Sequence, residues 1–132
     1  RPGAWMTPGV LVDLDPEHPI AQEEVFGPVA TVFRAADIDA AIALANDTPF
    51  GLGSSVWTND PAERARFVRD IEAGMTAVNQ MLASVPEAPF GGVKRSGHGR
   101  ELGPWGLHEF MNLKAVVDAA PVSTDPGSAA TD

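Results

Sequence analysis

Residues 54–79, S-S-V-W-T-N-D-P-A-E-R-A-R-F-V-R-D-I-E-A-G-M-T-A-V-N, hold the clearest secondary-structure signals of the chain. Within them Asp60 is a suitable helix N-cap, Pro61 fits the first helical position, and Glu63 stands where a capping box places its acid. Apolar runs lie on both sides of the helix. The stretch therefore predicts a strand, a helix and a second strand in succession.

The same stretch predicts where the helix ends and what it buries. We expect the helix to run to Ala73 and to end at Gly74, because glycine readily adopts the left-handed conformation that terminates many helices. The side chains expected in the core are Phe67, Val68 and Ile71.

Similar signals precede this stretch. Short apolar runs predict strands at residues 10–14, 29–34, 54–58 and 75–79. The run at 29–34 is almost entirely apolar, which predicts a strand covered on both faces. Asp37 is a candidate N-cap for a helix at residues 38–46. Strands that alternate with helices predict an α/β fold with a mostly parallel sheet and flanking helices.

The last third of the chain carries weaker signals. Residues 84–103 are rich in glycine and proline and predict a loop, residues 104–113 predict a short helix, and residues 114–118 predict a last strand. The tail at residues 119–132 is small and polar. It has little apolar surface to bury, so we expect it to be disordered.

Composition argues against several classes of protein. The 132 residues include 18 acidic and 9 basic ones and carry a net charge of −9, so a nucleic-acid partner is not expected. There is no cysteine and the three histidines lack ligand spacing, so no metal site is expected. Without a long apolar run or a signal pattern, we expect a cytoplasmic protein with no membrane contact. The chain lacks an initiator Met and is expected to begin within a longer protein.

The first of two Phe-Gly segments is E-E-V-F-G-P at residues 23–28. Adjacent residues of an extended segment point to opposite sides, so only one of Glu23 and Glu24 can face a given site. A carboxylate can accept hydrogen bonds from both hydroxyls of a ribose, and the ring of Phe26 can pack against a flat heteroaromatic ring. A turn with a solvated acid is the alternative for this segment taken alone.

The second Phe-Gly segment is P-F-G-G-V-K-R-S-G-H-G-R-E-L-G at residues 89–103, and it holds three of the nine basic residues. It contains neither a dinucleotide-binding glycine pattern nor a Walker A sequence. Two interpretations stay open: a loop that wraps a ligand, and a structural loop whose basic residues pair with the excess acids. Just before it, Asn79 is expected to cap backbone groups, and Ser84 is ordinarily a turn hydroxyl.

Four segments in this order resemble the aldehyde dehydrogenase superfamily. They are P-I-A-Q-E-E-V-F-G-P-V, A-N-D-T-P-F-G-L-G-S-S-V-W-T, I-E-A-G-M-T-A-V-N and P-F-G-G-V-K-R-S-G-H-G-R-E-L-G, all within residues 5–117. The resemblance implies that residues 1–113 are the C-terminal part of the catalytic domain and that residues 114–118 are an oligomerisation strand. The full-length protein is then expected to be a homo-oligomer.

The resemblance also implies the chemistry. In this family a cysteine thiolate attacks an aldehyde, hydride passes to a nicotinamide, and a water activated by a glutamate hydrolyses the thioester. In the family's order the cysteine and that glutamate precede Arg1. We therefore expect no catalytic residue in this chain and no dehydrogenase activity from it alone.

Four site residues follow from the resemblance. Glu24 matches the glutamate that holds the nicotinamide ribose of NAD or NADP, which binds as a dissociable cosubstrate, and Phe26 matches the aromatic residue beside the nicotinamide. Phe90 matches the phenylalanine at the pocket for the small-molecule aldehyde. The sequence S-V-P-E-A-P-F-G-G is similar to the succinate-semialdehyde dehydrogenase branch, in which the position of Ser84 binds the distal carboxylate of the substrate.

A second interpretation belongs to a different class of protein. The chain is then a non-catalytic interaction module, and the strand at residues 114–118 adds to the sheet edge of an intact subunit.

Overall fold

The computed structural model describes residues 3–119 of the chain and confirms an α/β fold. In order, its elements are β1 (Gly9–Val12), α1 (Pro19–Gln22), β2 (Val29–Val32), α2 (Ile38–Asn46), β3 (Gly53–Val56), α3 (Pro61–Asp70), β4 (Met75–Val78) and α4 (Gly103–His108), with a 3-10 turn at Lys94–Ser96 between β4 and α4. No helix within residues 3–119 combines the length and the apolar character needed to span a bilayer.

The strands form two separate pairs, and both pairs are parallel as predicted. In the first pair, β1 runs beside β2 with Gly9 opposite Val29. In the second pair, β3 runs beside β4 with Gly53 opposite Met75, and α3 makes the crossover between them. Parallel strands require such a crossover, so the helix start at Asp60 and the pairing of β3 with β4 are two parts of one unit.

The N-caps of α2 and α3 are confirmed. Asp37 Oδ1 accepts a hydrogen bond from the Ala40 N–H at 2.8 Å, and Asp60 Oδ1 accepts one from the Ala62 N–H at 2.7 Å. The reciprocal half of the predicted capping box is wrong. The Asp60 N–H donates to the Thr58 hydroxyl, which in turn donates to the Glu63 carboxylate at 2.6 Å. A hydroxyl from the preceding turn thus stands between the two partners of the box.

The predicted end of α3 is also wrong. The helix ends at Asp70, and Ile71 is already extended. The Asn46 side chain satisfies the exposed backbone there, because its amide donates to the Asp70 carbonyl at 2.9 Å and accepts from the Glu72 N–H at 2.8 Å. With this amide in place, no left-handed glycine is needed. Gly74 serves close packing instead, since a Cβ there would lie 1.9 Å from the Gly91 carbonyl oxygen.

The core lies between the second strand pair and the two longer helices. Its cluster of buried side chains is Ile42, Val56 and Phe67, with Ile38, Ile71 and Val78 packed against it. Val68 was expected in this core but is half exposed, because it lies next to Phe67 on the helix and points away. β2 was expected to be covered on both faces, but Val32 is half exposed and burial alternates along the strand. Nothing within the described residues covers its second face.

The C-terminal predictions fare unevenly. α4 begins at Gly103, one residue before the helix predicted at residues 104–113, and ends at His108, five residues before the predicted end. Residues 111–119 have no regular secondary structure, so the strand predicted at residues 114–118 does not form within this chain. A strand needs a neighbouring strand for its ladder of hydrogen bonds, and none lies beside these residues in the described structure. Of the tail predicted to be disordered, residues 120–132 lie outside the described residues.

Candidate functional site

The Glu24 segment, residues 23–28, leaves α1 in an extended conformation. Glu24 lines a cavity of about 530 Å³ whose other walls include Thr48, Phe50 and Ser96, whereas Glu23 does not line it. This agrees with the expectation that one of the two carboxylates faces a given site. Phe26 has a φ of 49° and its side chain is 89% exposed, so the ring lies on the surface of this chain.

Few contacts hold the Glu24 segment in place. On its N-terminal side, the Gln22 side-chain amide donates to the Asp47 carbonyl oxygen at 3.1 Å. On its C-terminal side, the Gly9 N–H donates to the Pro28 carbonyl oxygen at 3.0 Å, which ties the segment to β1. The segment is therefore fixed at its two ends.

The Phe90 loop, residues 90–101, is closed by its own backbone. Phe90 and Glu101 exchange two N–H to carbonyl hydrogen bonds, of 2.8 and 2.7 Å. Arg100 Nη1 donates to the carbonyl oxygens of Gly92 and Gly99, each at 2.8 Å. At Gly91 the φ is 155° and a Cβ would lie 2.5 Å from the Gly99 carbonyl oxygen, so this close approach requires glycine.

The other basic residues of the loop bind the rest of the chain. Lys94 Nζ lies 2.6 Å from the Glu72 carboxylate and donates to the carbonyl oxygens of Asn46 and Thr48 at 2.6 and 3.2 Å. The Arg95 guanidinium lies 5.9 Å from the centre of the Phe50 ring. The basic side chains of the loop thus contact the protein itself, as the structural interpretation of this loop expects. Backbone carbonyls, rather than acidic side chains, accept most of their hydrogen bonds.

Ser84 and Phe90 lie together. They line a common cavity of about 390 Å³ with Thr76, Gln80 and Met81. Among the described residues, no Lys or Arg side chain lines this cavity, so its polar groups are hydroxyls, an amide and backbone atoms. Phe90 also lines a larger cavity, of about 840 Å³, between the Phe90 loop and α4.

Asn79 sets the start of the loop that carries Ser84. Its side chain accepts from the Thr58 N–H at 2.8 Å and donates to the Thr58 carbonyl oxygen at 2.9 Å, and its φ is 54°. The amide thus extends the β3–β4 ladder by one pair while the backbone turns away. The prediction that Asn79 caps backbone groups is confirmed.

The strand β3 separates the two groups of site residues. Gly53, Ser54 and Ser55 line the cavity of Glu24 and also a cavity of about 430 Å³ that contains Ser84 and Phe90. The structure therefore brings Ser84 to Phe90 and places Glu24 in the neighbouring cavity, while Phe26 lines none of these cavities. The sequence pattern did not reveal Gln22, because a single glutamine has no local signature of its contact with the distant Asp47, and it did not reveal Gln80 as a lining residue of the Ser84 cavity.

Within residues 3–119, no three His, Cys, Asp or Glu side chains group closely enough to hold a metal ion. The resolved pKa shifts belong to Arg69 and Asp70 on α3, neither of which lines these cavities. There the hydrogen bond from Arg69 holds the pKa of Asp70 below its usual range.

Comparison with known proteins gives consistent matches. The model of the aldehyde dehydrogenase family matches residues 1–116. Succinate-semialdehyde dehydrogenase [NADP(+)] 1 of Mycobacterium ulcerans is 56% identical over 115 residues, which are 87% of this chain and 25% of that protein. The protein of the same name from Mycobacterium tuberculosis H37Rv is 55% identical over 116 residues, which are 88% of this chain and 25% of that protein.

Solved structures agree with these sequence matches. The structure described in work on cofactor and substrate selection by Gox0499 is 44% identical and superposes with a TM-score of 0.85 over 90% of this chain and 26% of its own. A Mycobacterium tuberculosis aldehyde dehydrogenase complexed with NAD+ is 44% identical, with a TM-score of 0.71 over 76% of this chain and 21% of its own. The chain thus spans about a quarter of the length of its relatives. Because the family model covers nearly all of its residues, the chain belongs to the aldehyde dehydrogenase family.

Proposed function

We propose that this chain forms one wall of the active site of an enzyme that oxidises an aldehyde to a carboxylic acid with NAD or NADP. The observation that carries the proposal is the placement of Ser84 and Phe90 in one cavity, with Glu24 in the cavity across β3. Family membership supplies the reaction class. That the enzyme is cytoplasmic stays a prediction.

Glu24 and Phe26 would bind the dinucleotide. An exposed carboxylate at the edge of a cavity of about 530 Å³ fits the two hydroxyls of a ribose, which donate hydrogen bonds to it. The exposed ring of Phe26 offers an apolar face to the nicotinamide. When bound, the dinucleotide supplies the hydride acceptor of the reaction. These residues fit either NAD or NADP, and the names of the mycobacterial relatives favour NADP.

Ser84 and Phe90 would bind the aldehyde, and succinate semialdehyde is the substrate we propose. The Ser84 hydroxyl can donate to the distal carboxylate, and the relatives carry this substrate in their names. Phe90 would supply an apolar wall for the methylene groups. Since no described side chain in this cavity is cationic, we expect the positive charge that balances the substrate's distal carboxylate to come from another part of the enzyme.

The experiment uses a hybrid enzyme, in which residues 1–116 of this chain replace the matching segment of the Mycobacterium ulcerans relative. We expect NADP reduction with succinate semialdehyde. Ser84→Ala should raise the KM for this substrate about fivefold, the value of one hydrogen bond, and leave the KM for butanal unchanged because butanal has no carboxylate. A folded hybrid without activity would contradict the proposal. Equal effects of Ser84→Ala on both aldehydes would remove succinate semialdehyde as the substrate.

A second proposal concerns assembly, and the residues after α4 favour it. Phe110 is 93% exposed, and Leu113 and Val117 are fully exposed, in a segment without secondary structure. We propose that residues 114–118 pair with another subunit of a homo-oligomer, whether the chain acts within an enzyme or as a non-catalytic module. Light scattering of the chain mixed with the intact relative should show a complex, and Val116→Pro should abolish it. No complex would contradict this role.

A further inference from the structure

Side chains next to or within both segments of the candidate site donate hydrogen bonds to the C-terminal turn of α2, residues 46–48. Lys94 of the Phe90 loop donates to the carbonyl oxygens of Asn46 and Thr48. Gln22, two residues before Glu24, donates to the carbonyl oxygen between them, that of Asp47. Three consecutive carbonyls therefore anchor two segments that are about seventy residues apart in sequence.

These carbonyls are suited to the task. The last carbonyl groups of a helix have no partner within the helix and carry partial negative charge, so they attract a cation such as Lys94. The Lys94 side chain is only 24% exposed, and Glu72 supplies a counter-charge at 2.6 Å. Its φ of 53° lies in the left-handed region, which is uncommon for residues other than glycine.

The turn is itself held firmly. The Asn46 side chain bonds the backbone at Asp70 and Glu72, which joins the end of α2 to the end of α3. Beside it, the Arg95 N–H donates to the Pro49 carbonyl oxygen at 3.0 Å, and the Gly51 N–H donates to the Ser96 hydroxyl at 3.0 Å. The turn is therefore hydrogen-bonded to the end of α3, and the residues that follow it are hydrogen-bonded to the Phe90 loop.

We propose that Gln22 and Lys94 are positioning residues, which place Glu24 and the Phe90 loop relative to each other through the carbonyls of residues 46–48. This proposal rests on the proposed function, because it assumes that Glu24 binds the dinucleotide and that Phe90 binds the aldehyde. The cavity between the two segments supports it, since Glu24, Thr48 and Ser96 all line that cavity. Loss of the Lys94 tether therefore also disturbs the Glu24 segment, because Lys94 binds the carbonyls on both sides of the one that Gln22 binds.

Hydrogen–deuterium exchange of this chain tests the coupling directly. Lys94→Met removes the ammonium, and we expect exchange to rise about tenfold at the Phe90 loop, the effect of losing one charged hydrogen-bond partner. Exchange should also rise at the amides of Gly9 and Val29, which donate to the carbonyls of Pro28 and Gly27 in the Glu24 segment. Arg64→Met, on the exposed face of α3, is the control and should change neither segment. Lys94→Arg keeps a cationic donor and should restore most of the protection. A rise confined to the Phe90 loop would overturn the proposal.

Kinetics of the hybrid enzyme provide the second readout. Gln22→Leu should raise the KM for NADP about fivefold with the KM for the aldehyde unchanged, and Lys94→Met should raise both. The double variant should raise the KM for NADP by less than the product of the single effects, because the tethers share one anchor. Unchanged KM values in folded variants would overturn the inference. An inactive but folded unsubstituted hybrid would instead contradict the proposed function, and exchange in the chain would still decide the coupling.

Discussion

The Glu24 segment and the Phe90 loop belong to the same candidate site but are built differently. The Phe90 loop has a backbone bridge at its base, an arginine bound to two of its carbonyls, and a lysine bound to the end of α2. The Glu24 segment is tied at its two ends, by Gln22 and by the N–H of Gly9, and its phenylalanine is exposed. The comparison teaches that the Phe90 loop is held by contacts along its length, whereas the Glu24 segment is held at its ends and leaves Phe26 exposed.

The largest difference in stability between the two segments is expected for two glycine-to-alanine variants. A Cβ at Gly74 would lie 1.9 Å from the Gly91 carbonyl oxygen, so Gly74→Ala forces backbone apart at the Phe90 loop. We expect a loss of about 3 kcal/mol in the free energy of unfolding, at the upper end for overpacking. Gly9→Ala, beside the Glu24 segment, is the control because its Cβ meets nothing within 4 Å. Urea unfolding measures both, and similar losses would break the comparison.

The two phenylalanines provide the next test. Phe90 is half-buried and lines two cavities, so Phe90→Ala should cost about 2 kcal/mol, less than for a fully buried ring. Phe26→Ala removes an exposed ring and should stay within about 0.5 kcal/mol. Thermal unfolding of the two variants gives the difference. A larger loss for Phe26→Ala would show that the Glu24 segment is packed more firmly than its contacts indicate.

Two arginines sharpen the comparison further. Arg100→Met leaves the carbonyls of Gly92 and Gly99 without their donor, and we expect a loss of about 1 kcal/mol. Arg34, after β2, is 90% exposed and 3.8 Å from Asp13, so Arg34→Met should change stability by less than about 0.5 kcal/mol. Urea midpoints distinguish the two. If the variants match, the hydrogen bonds of Arg100 do not stabilise its loop.

The smallest effect is expected outside both segments, on α3. The hydrogen bond from Arg69 lowers the pKa of Asp70 in the folded chain. A lowered pKa adds stability above the unfolded value, about 3.9, and that stability is lost as the pH falls through the folded pKa. Unfolding followed from pH 6 to pH 2 should show a shallower loss below pH 4 for Asp70→Asn than for the wild type. Identical profiles would exclude Asp70 as a contributor.

Local signals were sufficient for much of the fold. Asp37 and Asp60 cap their helices as predicted, because an N-cap depends on the next three residues alone. The end of α3 was mispredicted because its cap, the Asn46 amide, comes from another helix. The same reason hides Gln22, whose partner lies at Asp47. Glu24, Phe26, Ser84 and Phe90 came from a family resemblance, since no spacing rule places Glu24 across β3 from Phe90.

The side chain of Asn79 has a consequence for the loop that follows β4. It replaces one rung of the β3–β4 ladder, so the last pair of the sheet does not depend on the backbone path of the residues that follow. Changes in the path of the loop at residues 80–88, where Ser84 lies, therefore leave this last pair in place, apart from changes at Leu82, whose side chain lies against Gly53 of β3. Under the proposed function, the loop that carries Ser84 can therefore change its path while the Asn79 amide keeps the ends of β3 and β4 paired.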